Sequence, residues 1–254
     1  MYYYVVFYSL GIFKSEFAFF LVMEKEYKRL VAGITAFFKR VGVSKAVIGV
    51  SGGIDSALCL RLVSDALGAG NVTGLLMPEK GLTKKSNVSD GIALCESLNV
   101  GYYVAPINEF LIAYSGLGWK GSSNAEMNVR SRIRAVILYH YANSHSALVI
   151  GTSNKTEMEL GYFTKYGDGA IDVEVIGSLY KSEVYELAEY LELDENFLKK
   201  APSAELYAGH TDEEEFGMSY LDIDAMLMGK KKKSAKLKKI ISANKHKTEA
   251  LTVI

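Results

Sequence analysis

A short apolar run, Ala46-Val47-Ile48-Gly49-Val50, passes through Ser51-Gly52-Gly53-Ile54-Asp55-Ser56 directly into helical spacing, with Leu58, Leu62 and Leu67 near one face. A buried strand that feeds a helix through so tight a turn aims backbone N–H groups and a helix N-terminus at one small volume. That arrangement suits a phosphate group. Gly52 and Gly53 permit positive φ and let an anion approach without meeting a Cβ. The turn has no Lys-Ser/Thr pair, which excludes the loop that holds the β- and γ-phosphates of ordinary NTPases. It lacks G-x-G-x-x-G, which excludes a dinucleotide-type turn. Instead a carboxylate, Asp55, stands inside an anion site, which is repulsive unless a divalent cation lies between. Taken alone, a Gly-Gly turn with Asp55 as a first-turn helix charge is the plainer account.

The whole string Ser51 to Ser56 resembles the pyrophosphate loop of the ATP pyrophosphatases, enzymes that cleave ATP between the α- and β-phosphates, and this turns the balance toward phosphate. The surrounding pattern agrees. Val72 to Met77, Tyr102 to Val104 and Ala147 to Thr152 are further apolar strands, and Val173 to Ile176 offers a fifth. Helical segments separate them, Ser89 to Leu98 and Asn124 to Asn143 among them, and Glu24 to Arg40 precedes them with Tyr27, Leu30, Val31, Ile34 and Phe38 at core spacing. Continuous apolar strands alternating with helices indicate a three-layer α/β/α sandwich around a parallel sheet covered on both faces. Ligands of such sheets bind beyond the carboxyl ends of the strands. The Ser51 loop, Pro78-Glu79-Lys80 and Thr152-Ser153-Asn154 all fall on that rim.

With 254 residues the chain can bury a core of its own, and with Lys+Arg and Asp+Glu at 29 each no global field points to nucleic acid or a membrane surface. Cys59 and Cys95 lie in helical apolar patterns without C-x-x-C spacing, as expected of buried thiols in a reducing, cytoplasmic compartment. Residues 1–22 differ from the rest: Tyr2 to Tyr8 and Phe17 to Val22 are strongly apolar, yet Lys14 and Glu16 interrupt them, so no uncharged run is long enough to span a bilayer. They read as an atypical apolar extension, either an added structural segment or an upstream extension of the reading frame with Met23 the working start. Residues 23–254 read as a single domain. The seven lysines within 230–239 carry no interleaved aromatic residue and read as a solvated segment, not a nucleic-acid surface.

A second polar run, Gly151 to Glu157, leads to Gly161-Tyr-Phe-Thr-Lys-Tyr-Gly-Asp-Gly169 and is too polar for a core. Together with Ser51 to Ser56, Asn128 to Arg134, Ala201 to Leu206, Thr211 to Gly217 and His246-Lys247, it resembles ammonia-dependent NAD synthetase, in family order from about residue 24 to residue 247. The resemblance implies an adenine nucleotide alpha hydrolase-like fold and a homodimer with its dinucleotide site partly built across subunits. It also implies a reaction. The carboxylate of deamido-NAD attacks the α-phosphate of ATP, pyrophosphate leaves, and ammonia displaces AMP from the adenylate to give NAD. A carboxylate is inert to amines until it carries a leaving group, and the departing pyrophosphate needs donors, cations and Mg²⁺.

Site residues follow from the same resemblance. Gly49, Val50, Ser51, Gly52, Gly53, Ile54, Asp55 and Ser56 would cradle the ATP phosphates, with Thr152, Lys181 and Ser203 completing the ATP site. Asp55 and Glu157 would hold Mg²⁺, and Arg132, Lys165, Asp172, His246 and Lys247 would hold deamido-NAD. If Val129, Ile133, Val136, Ile137 and His140 face the core, Arg132 lies alone on one flank while Arg130 and Arg134 share the other, a solvated one. Lys181 opens a helix, where a cation opposes the dipole unless an anion meets it. His210 stands where the family usually has Gln, and Thr248 where it commonly has Arg, which bears on how the C-terminal segment closes. Cys59 and Cys95 look like packing and neither has a neighbouring His, so ammonia is the expected nitrogen donor, with a separate glutaminase subunit left open. Two other readings remain at this point: another pyrophosphate-loop amide ligase, and a nucleotide-binding module of the same fold without catalysis.

Overall fold

The apolar runs become the strands of one sheet. A computed structural model of the chain describes residues 11–200, 202, 212–249 and 253. The strands are β1 (Lys45–Gly49), β2 (Val72–Leu76), β3 (Gly101–Val104), β4 (Ala147–Gly151) and β5 (Val173–Glu174), in the order β3-β2-β1-β4-β5 and all parallel. Ile48 pairs with Gly74 on one side and Ile150 on the other, so β1 is the central strand. The chain builds outward from β1 to β3 and then returns to place β4 on the opposite flank. β1 and β4 therefore flank the topological switch point, and the loops after them open side by side.

One helical layer covers the first face. It contains α1 (Gly11–Val41), α2 (Ile54–Leu67), α3 (Lys85–Ser97) and α7 (Lys181–Tyr190), whose Leu30, Leu58, Leu62, Cys95, Val184 and Leu187 join Ile48, Val50 and Ile150 in one core. The second face is covered by α4 (Asn108–Ser115) and α5 (Ser123–His145), with Ile133, Ala142, Val47, Leu75 and Val149 buried between them and the sheet. Helix α5 starts at a Ser122 side chain that accepts from the Ala125 N–H, and it stops at Ser146 in the left-handed conformation. Helices α6 (Lys155–Leu160), α9 (Asp212–Phe216), α10 (Tyr220–Leu227) and α11 (Ala235–Thr248) share a separate cluster at the carboxyl rim, around Leu160, Phe216, Ile223 and Leu237. Helix α8 (Glu195–Leu198) follows α7 and buries Phe197.

Three sequence expectations change. Helix α1 begins at Gly11, twelve residues ahead of Met23, with no proline or other breaker to end it earlier. Phe19 packs against the core and Phe20 meets Tyr190 edge-on at 5.8 Å between ring centres, so tertiary contact extends a helix that periodicity placed at Glu24 to Arg40. Strand β5 is only two residues long, because Val175 and Ile176 leave the ladder and turn inward as buried core. On α5, Val136 is 64 % exposed and His140 is exposed, whereas Leu138 and Ala142 turn inward beside Ile133. Arg130 and Arg134 are accordingly not a solvated flank. Arg130 makes a two-pronged pair with Glu79, Nε–Oε2 2.6 Å and N–Oε1 3.1 Å, and Arg134 Nε donates to the Met77 carbonyl at 3.0 Å.

Candidate functional site

The loop after β1 is built as the glycines require. Gly52 has φ +81°, and a Cβ there would lie 2.3 Å from the Asn87 carbonyl oxygen of α3, so only glycine lets the loop seat against that helix. Gly53 caps α2, which places Asp55 in its first turn. The Ser51 and Ser56 hydroxyls are 3.0 Å apart, and the Ser56 hydroxyl donates to the Gly53 carbonyl at 3.0 Å, closing the loop on itself. The N–H groups of a helix start are thereby left facing the rim, with serine hydroxyls beside them.

The loop after β4 meets it there. Asn154 and Glu157 form a reciprocal cap at the start of α6: the Asn154 side chain accepts from the Glu157 N–H at 3.0 Å, and Glu157 accepts from the Asn154 N–H at 3.2 Å. The fully buried Asn154 then turns its amide across the switch point and donates to Asp55 Oδ1 at 2.9 Å. From α7, Lys181 Nζ reaches Asp55 Oδ2 at 2.5 Å and Glu157 Oε1 at 3.7 Å. Lys181 is 2 % exposed, while the two carboxylates keep 19 % and 16 %. A buried ammonium between two acids, open to the rim on the acid side, is the centre of the site.

Its electrostatics follow from that geometry. Burial pushes the Glu157 carboxyl up, and Asp55 pushes it further, against the pull of Lys181. Burial works against the Lys181 charge, but Asp55 and Glu157 outweigh it and hold the ammonium well above its ordinary range. A divalent cation fits such a donor set. Two carboxylates at the mouth of an anion-binding turn would supply it hard oxygen ligands. Lys181 meets the two acids from the buried side, and their remaining exposure is where a metal would be received. Among the described residues no group of three or more His, Cys, Asp or Glu gathers as a ligand cluster.

The other sequence candidates divide. Thr152 lies half-buried just beyond β4, on the same rim. Ser203 lies outside the described residues, as do Thr211 and His210. Arg132 and Lys165 are brought together: Arg132 donates to the Lys165 carbonyl at 3.2 Å. Lys165 Nζ donates to the His246 carbonyl at 2.9 Å, and Lys247 Nζ to the Gly161 and Phe163 carbonyls at 2.8 and 2.9 Å. The end of α11 is thus docked on the 161–169 segment, and four of the five dinucleotide candidates form one basic ridge. Asp172 is separate from them. It accepts from the Val149 N–H at 2.8 Å, just ahead of the β4–β5 pairing, and from the Tyr139 hydroxyl at 3.2 Å.

Sequence reasoning gave no role to several groups here. Lys200 Nζ donates to the Gly52 carbonyl at 2.7 Å and to Asp90 at 2.9 Å, tying the phosphate loop to α3. Glu174, mostly buried at the end of β5, accepts from the Ser153 N–H at 3.0 Å, and burial raises its carboxyl to about 7. The Asn154/Glu157 cap was legible as an N-x-x-E spacing before a helix; Lys200 and Glu174 carried no local signal. Cys59 and Cys95 are free and buried, and burial raises the Cys95 thiol to about 11. Lys231 of the lysine run pairs with Asp222 at 2.7 Å. Trp119 is 71 % exposed. No helix among the described residues is long and apolar enough to cross a membrane.

The family model described as NAD synthase matches residues 26–254. An NH(3)-dependent NAD(+) synthetase of Archaeoglobus fulgidus is 41 % identical over 233 residues, 89 % of this chain and 94 % of the relative. Among solved structures, an NMN synthetase from Francisella tularensis superposes with a TM-score of 0.83 at 34 % identity, over 91 % of this chain and 98 % of that one. An NH3-dependent NAD synthetase from Campylobacter jejuni, solved with nitrate, gives a TM-score of 0.76 at 37 % identity over the same shares.

Proposed function

The chain belongs to the NAD synthase family, and on that premise we propose how its site performs the reaction. It is an ammonia-dependent NAD synthetase that converts deamido-NAD, ATP and ammonia to NAD, AMP and pyrophosphate. The observation that supports the site assignment best is the meeting of Asp55, Glu157 and Lys181 at the mouth of the Ser51 loop.

Backbone N–H groups of Gly52 and Ile54 to Ser56 and the dipole of α2 bind the ATP phosphates, with Ser51 as a hydroxyl donor, Ser56 bracing the loop through the Gly53 carbonyl, and Thr152 and Ser203 at the margins. Lys181 supplies a point charge to the pyrophosphate as it leaves, so negative charge develops where a desolvated cation already waits. Asp55 and Glu157 hold Mg²⁺, which when bound offsets phosphate charge and lets two acids face a polyanion. Arg132, Lys165, His246 and Lys247 orient deamido-NAD along the ridge, with Asp172 at its edge. The nicotinate carboxylate then attacks the α-phosphate, and the adenylate so formed reacts with ammonia. These roles are consistent with basic side chains standing next to an anion-binding loop.

A homodimer fits the exposed apolar side chains Phe110 and Ile112 of α4, Val136 of α5 and Trp119, which a second copy would cover. A cytoplasmic site of action accords with two free thiols. Residues 23–254 form the catalytic unit and 1–22 are an accessory segment.

The test supplies purified protein with ATP, Mg²⁺ and either ammonium or glutamine at equal nitrogen, and offers deamido-NAD or nicotinate mononucleotide at equal concentration. NAD and AMP in equal amounts from ammonium and deamido-NAD support the reading. Efficient use of glutamine by the isolated chain refutes the nitrogen donor, preference for the mononucleotide refutes the acceptor, and ATP binding without turnover identifies a non-catalytic module.

A further inference from the structure

Two of the three side chains at the centre of the site come from helix starts that are themselves joined. Helix α6 carries Glu157 in its first turn and α7 opens with Lys181, and both begin with N–H groups that have no partner inside their own helix. The Lys181 N–H donates to the Thr156 hydroxyl at 2.9 Å. That hydroxyl donates in turn to Asp224 Oδ1 at 2.5 Å, and Asp224 Oδ2 accepts from the Ser182 N–H at 2.8 Å. The backbone adds one more link, from the Lys155 N–H to the Leu179 carbonyl at 2.7 Å. Thr156 is fully buried and Asp224 is 2 % exposed, so neither can touch substrate.

We infer that Asp224 and Thr156 are positioning residues for the reaction: one carboxylate on α10 and one hydroxyl on α6 fix the register in which Glu157 and Lys181 face Asp55. The inference rests on the roles proposed above for Glu157 and Lys181. Its physical basis is geometric. A hydroxyl accepts one bond and donates another, so Thr156 can bridge only while Lys181 N and Asp224 lie on opposite sides of it. Asp224 uses both oxygens, one on each helix, and its negative charge sits favourably at the start of α7. Lys181 has its backbone held by this bridge and its ammonium held by Asp55, so main chain and side chain are both fixed. With the bridge gone, the start of α7 keeps to α6 the Lys155–Leu179 backbone bond, the Tyr180 hydroxyl on Glu159 and the Lys181–Glu157 contact, and the first turn that carries Lys181 can shift. A small shift is enough, because loss of alignment in the reacting geometry costs rate steeply.

The experiment compares Thr156→Val, which keeps the shape and removes the hydroxyl, with Thr156→Ser, which keeps the hydroxyl. We expect T156V to fold, to lose at least about tenfold in kcat, and to keep KM for deamido-NAD within about twofold, with T156S returning to within about threefold of the native kcat. T156V combined with Lys181→Met should be no slower than K181M alone, because the hydroxyl acts through Lys181. Equal kcat for folded T156V and T156S, or additive loss in the double variant, overturns the inference. Near-native turnover of K181M and Glu157→Gln would instead sink the site reading, whatever T156V does. If T156V does not fold, the decision passes to Asp224→Asn, which keeps one acceptor, against Asp224→Ala. A larger kcat loss in D224A at unchanged KM for deamido-NAD sustains the inference, and equal values overturn it.

Discussion

Lys181 and Asp55, 126 residues apart in the chain, form an ion pair of 2.5 Å in which the ammonium is almost wholly withdrawn from water. Such a pair holds its place through mutual attraction, and removing one partner strands the other. Lys181→Met leaves Asp55 and Glu157 facing each other without a counter-charge. It should lower unfolding free energy by about 3 kcal/mol, read by urea titration at pH 7. Adding Asp55→Asn to K181M removes the repulsion and should recover part of that loss. A double variant less stable than K181M would show that the acids do not repel.

Asp55 and Glu157 act on substrate charge more than on the fold. Asp55→Asn or Glu157→Gln should lower turnover at least about a hundredfold while circular dichroism stays native, with a lowered thermal midpoint in D55N because the buried Lys181 loses its nearer partner. Near-normal turnover of either variant at ordinary Mg²⁺ removes that residue from the metal-holding pair.

Glu174 predicts a pH dependence of stability. Its carboxyl titrates near 4.5 when unfolded and is raised by burial to about 7 in the fold, so the native state binds a proton more tightly than the unfolded one. A group raised in this way favours the fold below the unfolded value, and that contribution is lost as pH climbs through the folded value. The difference is worth about 3 kcal/mol, lost between about pH 4.5 and 7.5. Glu174→Gln, which cannot ionise, should flatten this part of the curve, so its stability relative to the native protein rises with pH and levels off above about 7.5. Parallel denaturation curves for the two proteins at pH 5 and pH 8 would contradict the assignment.

A chain beginning at Met23 retains every described site residue and the buried Met23 side chain itself. Turnover should therefore be native. Stability should fall by about 1 to 3 kcal/mol, because Phe19 leaves the core and Phe20 leaves Tyr190. Loss of turnover in the folded, shortened protein would make residues 1–22 part of the machinery instead of an accessory segment.

The sequence by itself determined the strand–loop–helix at Ala46 to Leu67, because a period-free apolar run, two glycines and a helical repeat are all local properties of the chain. It determined the parallel α/β sandwich for the same reason, and the Asn154/Glu157 spacing that caps α6. Its family strings selected Asp55 and Glu157, and the family resemblance added Lys181, although Asp55 stands 99 residues from Asn154 and 126 from Lys181. What tertiary structure alone decided was which charges face each other. Arg130 looked solvated from its helix and is spent on Glu79, since the core side of α5 is set by the sheet and not by the helix's own periodicity. Lys181 looked like a cation awaiting phosphate and is already held by two acids. Asp224, Glu174 and Lys200 carry no local pattern, because a side chain whose partners come from other elements acquires its role only when packing brings those elements together.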